Sequence, residues 1–126
     1  MTTRITTAGI VIKDGKYLVA KRSVGEKNKG LWEFVGGKNR YEETVVETLK
    51  REFSEELGVE IEVGNFLAEY EFDNKEVHYF LKAYEVFLLS EDFKLTYHSE
   101  YKYVDKKTLK ILEMVNSDKE IIKKIV

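Results

Sequence analysis

The sequence predicts a single α/β domain over residues 1–126. A chain of 126 residues is long enough for one hydrophobic core and short for two. Its β-rich runs are interleaved with one strongly amphipathic helix and two shorter helical segments, a pattern typical of the α/β class. The 43% hydrophobic and 13% aromatic content supplies the side chains for that core.

The first half of the chain alternates short apolar runs with turn signals. Asp14-Gly15 is typical of a two-residue hairpin turn between neighbouring strands. The polar, glycine-containing segment 23–30 predicts a loop. The predicted strands of this half are residues 5–13, 17–21 and 31–35.

The second half predicts a long hairpin followed by short elements. Residues 59–72 and 76–89 read as two strands joined by a turn at residues 73–75. Residues 91–99 read as a second loop. The remaining predicted elements are a strand at 101–104, a short helix at 106–112 and a terminal helix at 117–125.

The central helix has clear start and stop signals. Thr44 is a suitable N-cap, and Gly58 stands where a helix can end on a left-handed residue. Val59 follows and can pack back on Phe53. One apolar stripe recurs at helical spacing and predicts the buried face: Val45, Val46, Leu49, Phe53 and Leu57.

Three glutamates share a face beside that stripe. Glu52, Glu55 and Glu56 stand at positions i, i+3 and i+4 of the helix. Each like-charged pair costs roughly 0.2–0.5 kcal/mol, and the C-terminal half of a helix disfavours anions. A solvated acidic face neutralised by Lys50 and Arg51 is one interpretation. A divalent cation is the other, and clustered carboxylates suit Mg²⁺ or Mn²⁺.

Composition and charge narrow the function classes. The formal net charge of −2, with both signs interspersed, gives no support for a membrane or nucleic-acid surface held by bulk electrostatics. The absence of cysteine excludes a disulfide framework and a thiolate metal site. No apolar run is long enough for a membrane helix and no signal peptide is visible. We therefore expect a cytoplasmic location.

The helix and the residues before it carry a recognisable motif. Gly37 and Glu43 precede Arg51-Glu52-Phe53-x-Glu55-Glu56-x-Gly58-Val59 at fixed spacing. This pattern resembles the signature of the Nudix hydrolases. The resemblance implies the Nudix fold, an α/β/α sandwich around a mixed β-sheet, formed here by a single Nudix hydrolase domain.

Flanking segments resemble the MutT-like branch of that family. They are residues 8–11, the basic pair Lys21-Arg22, residues 32–38 with Val35 in place of a usual proline, and His98 with Tyr103 followed by residues 116–118. The resemblance implies a Mg²⁺-dependent or Mn²⁺-dependent pyrophosphohydrolase of nucleoside diphosphate-X compounds. A (deoxy)nucleoside triphosphate such as 8-oxo-dGTP or a cytosine nucleotide is the simplest substrate.

The resemblance also implies roles for individual residues. The metal would be held by Glu52, Glu55, Glu56 and the backbone carbonyl of Gly36, while Arg51 orients the glutamates and pairs with Glu47. Gly37, Glu43 and Gly58 would be structural. The residues expected to bind substrate are Arg22, Phe34, Lys38, His78 and Asp118. Each also has a plain alternative: Arg22 and Lys38 as solvated charges, Phe34 and His78 as packed side chains, Asp118 as a carboxylate at a helix N-terminus.

Two departures from the family pattern affect the expected site. Many members have Glu and Gly in the turn after the paired glycines, where this chain has Arg40 and Glu42. Members also often place a further metal-binding Glu before the last strand. One register matches that position to Tyr97 and another to Glu100. We expect Glu100 to fill this role; the next alternatives are that a glutamate of the helix acts as base and that turnover is weak.

Three other functions stay open. The chain could hydrolyse another nucleoside diphosphate-X, such as a nucleotide sugar or a dinucleoside polyphosphate. It could be a nucleotide sensor that binds without turnover. An RNA 5′-end pyrophosphohydrolase would need a basic channel, for which the candidates are scattered: Lys21, Arg22, Lys27, Lys29 and Lys38. Nucleic acid is therefore an unfavoured partner, a small nucleotide is the favoured one, and monomer and homodimer are both compatible with the sequence.

Overall fold

The computed structural model describes residues 1–23 and 29–126. Lys27, one of the basic candidates, lies outside the described residues. The described elements are β1 (Thr2–Ile10), β2 (Ile12–Lys13), β3 (Lys16–Arg22), β4 (Trp32–Glu33), α1 (Val45–Leu57), β5 (Ile61–Asn74), β6 (Val77–Leu88), β7 (His98–Val104), α2 (Lys106–Ile111) and α3 (Asn116–Ile125).

The strands form two sheets. In the first, β6 is central, parallel to β1 and antiparallel to β5. In the second, β3 pairs antiparallel with β2, β4 and β7. Isolated bridges from Thr6 to Lys38 and from Gly9 to Val35 join β1 to the segment that follows β4. The end of β4 is therefore fixed against the first sheet.

Helices cover both faces of this arrangement. Successive residues of β3 belong to different apolar clusters: Val19 packs with Ile121 and Ile122 of α3, and Leu18 packs with Phe53 of α1. Because neighbouring strand residues point to opposite faces, α1 and α3 lie on opposite sides of the sheets. The fold is the predicted α/β/α sandwich. None of the helices in the described part is long and apolar enough to cross a membrane.

The caps of α1 are those that the sequence predicts. Thr44 accepts a hydrogen bond from the Glu47 backbone and the Glu47 side chain accepts one from the Thr44 backbone, which makes a capping box. Gly58 ends the helix with a left-handed φ of 69°. Val59 and Phe53 belong to the same buried cluster, as expected.

Several element ends differ from the predicted ones. The long hairpin turns at Lys75 and Glu76, both with positive φ, because β5 continues to Asn74. Strand β7 begins at His98 instead of residue 101, since its antiparallel pairing with β3 extends to Arg22. Strand β4 has only two residues and ends before the paired glycines.

The turn between β4 and α1 forms despite its unusual sequence. Glu42, which stands where many Nudix members have glycine, is exposed and has a φ of 67°. A non-glycine residue in this left-handed region costs roughly 1–2 kcal/mol because its Cβ crowds the following carbonyl oxygen. The turn is therefore strained at one position just before α1.

Replacing Glu42 with glycine should relieve that strain. We expect E42G to raise the free energy of unfolding by about 1 kcal/mol in urea denaturation. The control is E42A, which removes the same charge but keeps Cβ, and it should give no comparable gain. Equal stabilisation by both variants would mean that charge, and not backbone conformation, limits this turn.

Candidate active site

Arg51 is the central ion-pairing residue of the site. Its Nε and Nη2 contact the two oxygens of Glu43 at 2.6 and 3.0 Å. Its Nη1 donates to Glu52 at 2.8 Å and to Glu55 at 3.3 Å. Nη2 also donates to the Lys38 carbonyl at 3.1 Å. One guanidinium thus connects the turn before α1, the glycine loop and two glutamates of the motif.

Glu43 anchors the turn that carries the loop. The Arg51 guanidinium lowers the pKa of Glu43 to about 2, and hydrogen bonds from Arg40 and Thr48 act in the same direction. Glu43 Oε1 accepts from the Arg40 backbone at 3.0 Å and from the Thr48 hydroxyl at 2.8 Å. The expected pairing of Glu47 with Arg51 is wrong, because the Glu47 carboxylate is engaged at the N-cap.

The paired glycines allow two close approaches. A Cβ on Gly36 would lie 2.1 Å from the Thr7 carbonyl oxygen, and a Cβ on Gly37 would lie 2.5 Å from the Glu52 carboxyl carbon. Thr7 holds the loop by accepting from the Gly37 N–H at 3.1 Å and donating to the Gly37 carbonyl at 2.9 Å. A side chain at Gly37 would therefore displace Glu52.

The three glutamates of α1 differ in environment. Their side chains are 14% exposed for Glu52, 50% for Glu55 and 9% for Glu56. Burial raises the pKa of Glu56 well above its usual range, and hydrogen bonding to Glu52 and the charges of Glu52 and Glu33 raise it further. Glu56 Oε1 is buried without a hydrogen-bond partner in the described part of the chain. A divalent cation would supply the positively charged partner that this carboxylate lacks. The donor set therefore fits a divalent cation.

Glu56 belongs to a second group that includes residues from two other elements. His98 Nε2 at the start of β7 lies 2.8 Å from Glu33 Oε2 of β4 and 3.5 Å from Glu56 Oε1. Arg22 Nη1 contacts the other Glu33 oxygen at 3.1 Å. The Arg22 guanidinium also lies 5.2 Å from the centre of the Tyr97 ring. Arg22 is thus held between an acid and an aromatic ring at the edge of the site.

A cavity of about 930 Å³ opens beside these groups. Its volume is at the upper end of the usual range for a small-molecule site. Part of its lining is charged: Arg22, Glu33, Lys38, Glu52, Glu55 and Glu56. Another part is aromatic or apolar: Phe34, Tyr70, Phe72, Tyr79, Tyr97 and Leu81. The lining therefore offers surfaces for a charged group and for a flat ring in one space.

Asp118 lies in this cavity with only one oxygen engaged by the backbone. Its Oδ2 accepts from the Phe34 N–H at 3.0 Å, a contact between residues 84 positions apart. Burial raises the pKa of Asp118 to about 7, and the Phe34 hydrogen bond opposes that rise. The residue is thus a buried carboxyl that titrates near neutral pH at the start of α3.

Most of the predicted substrate residues line the cavity, and His78 does not. Arg22, Phe34, Lys38 and Asp118 are in the lining. His78 instead sits between the carboxylates of Asp73 and Glu71, which raise its pKa. Tyr79, the next residue in the sequence, faces the cavity. Because side chains alternate between the two faces along β6, His78 points to the other side. The structure therefore places His78 away from the cavity to which it was expected to contribute.

The expected role of Glu100 is not supported either. Glu100 is opposite Lys21 in the β3–β7 ladder and pairs with its ammonium group at 3.7 Å, exposed to solvent. Tyr97 lines the cavity in its place. Of the two registers that the sequence allows, the geometry brings Tyr97 to the site.

Sequence reasoning missed three contributors to the cavity. Tyr70, Phe72 and Tyr79 were not among the predicted site residues, yet they form a stacked aromatic wall with ring centres 5.2 and 6.0 Å apart. The spacing of Tyr70 and Phe72 by two residues is a signal that they share a face. The contact of Glu33 with His98 has no local signal, because 65 positions separate them.

Titration of Asp118 should be visible in stability. A carboxyl whose pKa rises on folding from 3.8 to about 7 contributes stability at low pH that is lost as pH increases between these values. We expect D118N to make the free energy of unfolding fall less steeply between pH 4 and 7, measured in urea with EDTA. The control is D105N: Asp105 caps α2 with a lowered pKa, so it should not alter that slope. An unchanged slope in D118N would contradict the raised pKa.

Curated proteins of known name match about half of this chain. A CTP pyrophosphohydrolase of Escherichia coli K12 is 44% identical over 64 residues, which are 51% of this chain and 47% of that protein. An 8-oxo-dGTP diphosphatase of Buchnera aphidicola is 43% identical over 53 residues, covering 42% of this chain and 41% of that protein. The chain thus spans less than half the length of these two curated relatives.

The similarity extends to whole-domain structure. The solution structure of the E. coli ORF135 protein superposes with a TM-score of 0.86 at 27% identity, covering 98% of this chain and 89% of that one. The NUDIX domain matches residues 3–125, nearly the whole sequence. The family that the glutamate motif predicts is confirmed: this chain belongs to the NUDIX domain family.

Proposed function

We propose that the protein is a divalent-metal-dependent pyrophosphohydrolase of nucleoside diphosphate-X compounds, with a (deoxy)nucleoside triphosphate as the simplest substrate. The observation that carries this proposal is that Arg51 orients Glu52 and Glu55, with Glu56 beside them, in a cavity that also has aromatic walls. Such a site can hold a metal-bound polyphosphate beside a nucleobase.

The metal would be held by Glu52, Glu55, Glu56 and the Gly36 carbonyl, with Mg²⁺ first and Mn²⁺ second. Support comes from the unpartnered buried oxygen of Glu56 and from the all-oxygen donor set. When bound, the ion neutralises the polyphosphate and lowers the pKa of a coordinated water. Hydrolysis of a triphosphate by one water gives the nucleoside monophosphate and pyrophosphate.

The remaining charged residues position the reacting groups. Arg51 orients Glu52 and Glu55 through contacts of 2.8 and 3.3 Å. Arg22 and Lys38 line the same cavity and would contact phosphate oxygens. Since Glu100 lies outside the cavity lining, the proton of the attacking water passes to one of the α1 glutamates. Most of the rate enhancement would come from orientation and charge stabilisation.

Base recognition would use the aromatic wall and Asp118. Phe34, Tyr70, Phe72 and Tyr79 offer ring faces and edges for packing against a nucleobase. An ionised Asp118 accepts hydrogen bonds only, which favours a base with an exocyclic amine such as cytosine or guanine. The names of the two curated relatives, one for CTP and one for 8-oxo-dGTP, support that choice.

A second candidate is a nucleotide sensor that binds without efficient turnover. Tyr97 lines the cavity where the resemblance leads one to expect a metal-binding glutamate. If the protein is a hydrolase, a nucleotide sugar or a dinucleoside polyphosphate is the alternative substrate. A panel of substrates separates all three, because only the sensor binds nucleotide and metal without forming product.

Product release and the loss of one carboxylate test the chemistry. With Mg²⁺, one class among 8-oxo-dGTP, CTP, dCTP, nucleotide sugars and dinucleoside polyphosphates should be hydrolysed. Chelation of the metal should stop this hydrolysis. E55Q should lower kcat/KM by about 10²-fold or more, the scale for losing one preorganised electrostatic group. Glu55 is half-exposed, so folding should be unaffected.

The matched control lies on the same helix. E47Q removes a nearby charge but keeps the capping box, since glutamine also serves at this position. It should retain normal turnover. Near-normal activity of folded E55Q would contradict the metal site, and binding of nucleotide without any product would favour the sensor.

Base selection tests the role of Asp118. In D118N the amide oxygen can still accept from the Phe34 N–H, while its NH₂ replaces the second carboxylate oxygen. Because the amide donates where the carboxylate accepted, the ratio of kcat/KM for CTP over UTP should fall by roughly 10-fold or more, the scale of a charge-assisted hydrogen bond. An equal fall for both nucleotides would contradict base recognition by Asp118.

A further inference from the structure

We propose that Glu33, Glu56 and His98 form a second metal site, selective for a divalent transition-metal ion of the Zn²⁺, Co²⁺ or Fe²⁺ class. Three separate elements bring these side chains together: β4, α1 and the start of β7. One donor atom from each residue lies within 4.8 Å of the other two. The site shares Glu56 with the proposed magnesium site but adds an imidazole.

The donor spacing suits such an ion. His98 Nε2 lies 2.8 Å from Glu33 Oε2 and 3.5 Å from Glu56 Oε1. Tetrahedral or octahedral coordination with ligands at about 2.0–2.2 Å separates neighbouring donors by roughly 3–3.5 Å. The side chains therefore need only small adjustments to surround an ion.

Two buried polar atoms of the cluster have no hydrogen-bond partner among the described residues, and the one that faces the other donor atoms is an independent sign of a missing ligand. They are Glu56 Oε1 and His98 Nδ1. Glu56 is 7% exposed and His98 is 4% exposed, so bulk water does not satisfy these atoms. Oε1 is the Glu56 oxygen that faces His98. An ion bound there would satisfy it directly.

The charge balance also favours a cation. Arg22 pairs with Glu33 Oε1, which leaves Glu33 Oε2 directed at His98. Glu56 receives no comparable ion pair from an arginine or a lysine in the described chain. Arg22 therefore neutralises the partly buried Glu33 and leaves the buried Glu56 without an arginine or lysine partner in the described chain, and a divalent ion between the two carboxylates would fill that place.

The ligand types distinguish this site from the magnesium site. Imidazole nitrogen suits Zn²⁺, Fe²⁺ and Co²⁺, whereas Mg²⁺ prefers oxygen ligands. Glu33 and Glu56 both line the main cavity, which gives an ion a path to the cluster. The proposal does not depend on hydrolysis, because binding of the ion can be measured without nucleotide.

The test uses Co²⁺ with the full chain and reads the histidine directly. A histidine bound to Co²⁺ gives a hyperfine-shifted, exchangeable imidazole N–H resonance in the proton NMR spectrum, and carboxylates give none. The chain has only two histidines. We expect the wild type to show one such resonance, which Zn²⁺ abolishes and equimolar Mg²⁺ leaves in place.

Variants assign the signal. H98Q should lose the resonance and bind Co²⁺ at least 10-fold more weakly, while H78Q, the matched control, should keep both. Because His98 is buried, E33Q provides a second variant of nearly unchanged shape, and it should weaken Co²⁺ binding at least 10-fold. Wild-type protein without the resonance, or its loss in H78Q instead of H98Q, would overturn the proposal.

One more variant separates this inference from the proposed function. E55Q should keep the Co²⁺ resonance while it loses hydrolysis, because Glu55 is not part of the cluster. Absence of the resonance in an active wild-type enzyme would reject the second site alone. A resonance that depends on His98 in a protein without hydrolytic activity would reject the proposed function alone.

Discussion

The geometry of the site depends on one partly buried ion-pair network centred on Arg51. The guanidinium is 17% exposed and contacts Glu43, Glu52, Glu55 and the Lys38 carbonyl. Without it, three carboxylates and a backbone carbonyl would face one another with no positive charge between them. The turn, the loop and the helix all meet at this side chain. Its positive charge therefore offsets the repulsion among the glutamates and fixes their arrangement.

That network satisfies only part of the acidic cluster. Arg51 neutralises the side nearest the turn, whereas Glu56 points toward Glu33 and His98, where Arg22 is the nearest cation in the described chain. The first group is held in place by protein contacts, whereas the second would depend on the proposed metal ion for charge balance. Substrate phosphate would approach through the cavity that both groups line.

Local features of this fold were readable from the sequence, and distant contacts were not. The helix between Thr44 and Gly58 was predictable because its caps and apolar stripe lie within a few residues, although Val46 of that stripe is exposed. The contacts of Phe34 with Asp118 and of Glu33 with His98 join residues 84 and 65 positions apart, and no periodicity encodes them. His78 was misplaced since a strand pattern gives alternation but not which face meets the cavity.

The long β5–β6 hairpin has a consequence for how this family can diversify. Its tip contributes Phe72, Asp73 and Asn74 to the cavity, on elements separate from α1. Strands gain about 3.3 Å per residue, and adding two residues to each arm keeps every side chain on its own face. Evolution can thus lengthen or shorten this wall to admit larger or smaller ligands, while the glutamates and Arg51 stay untouched.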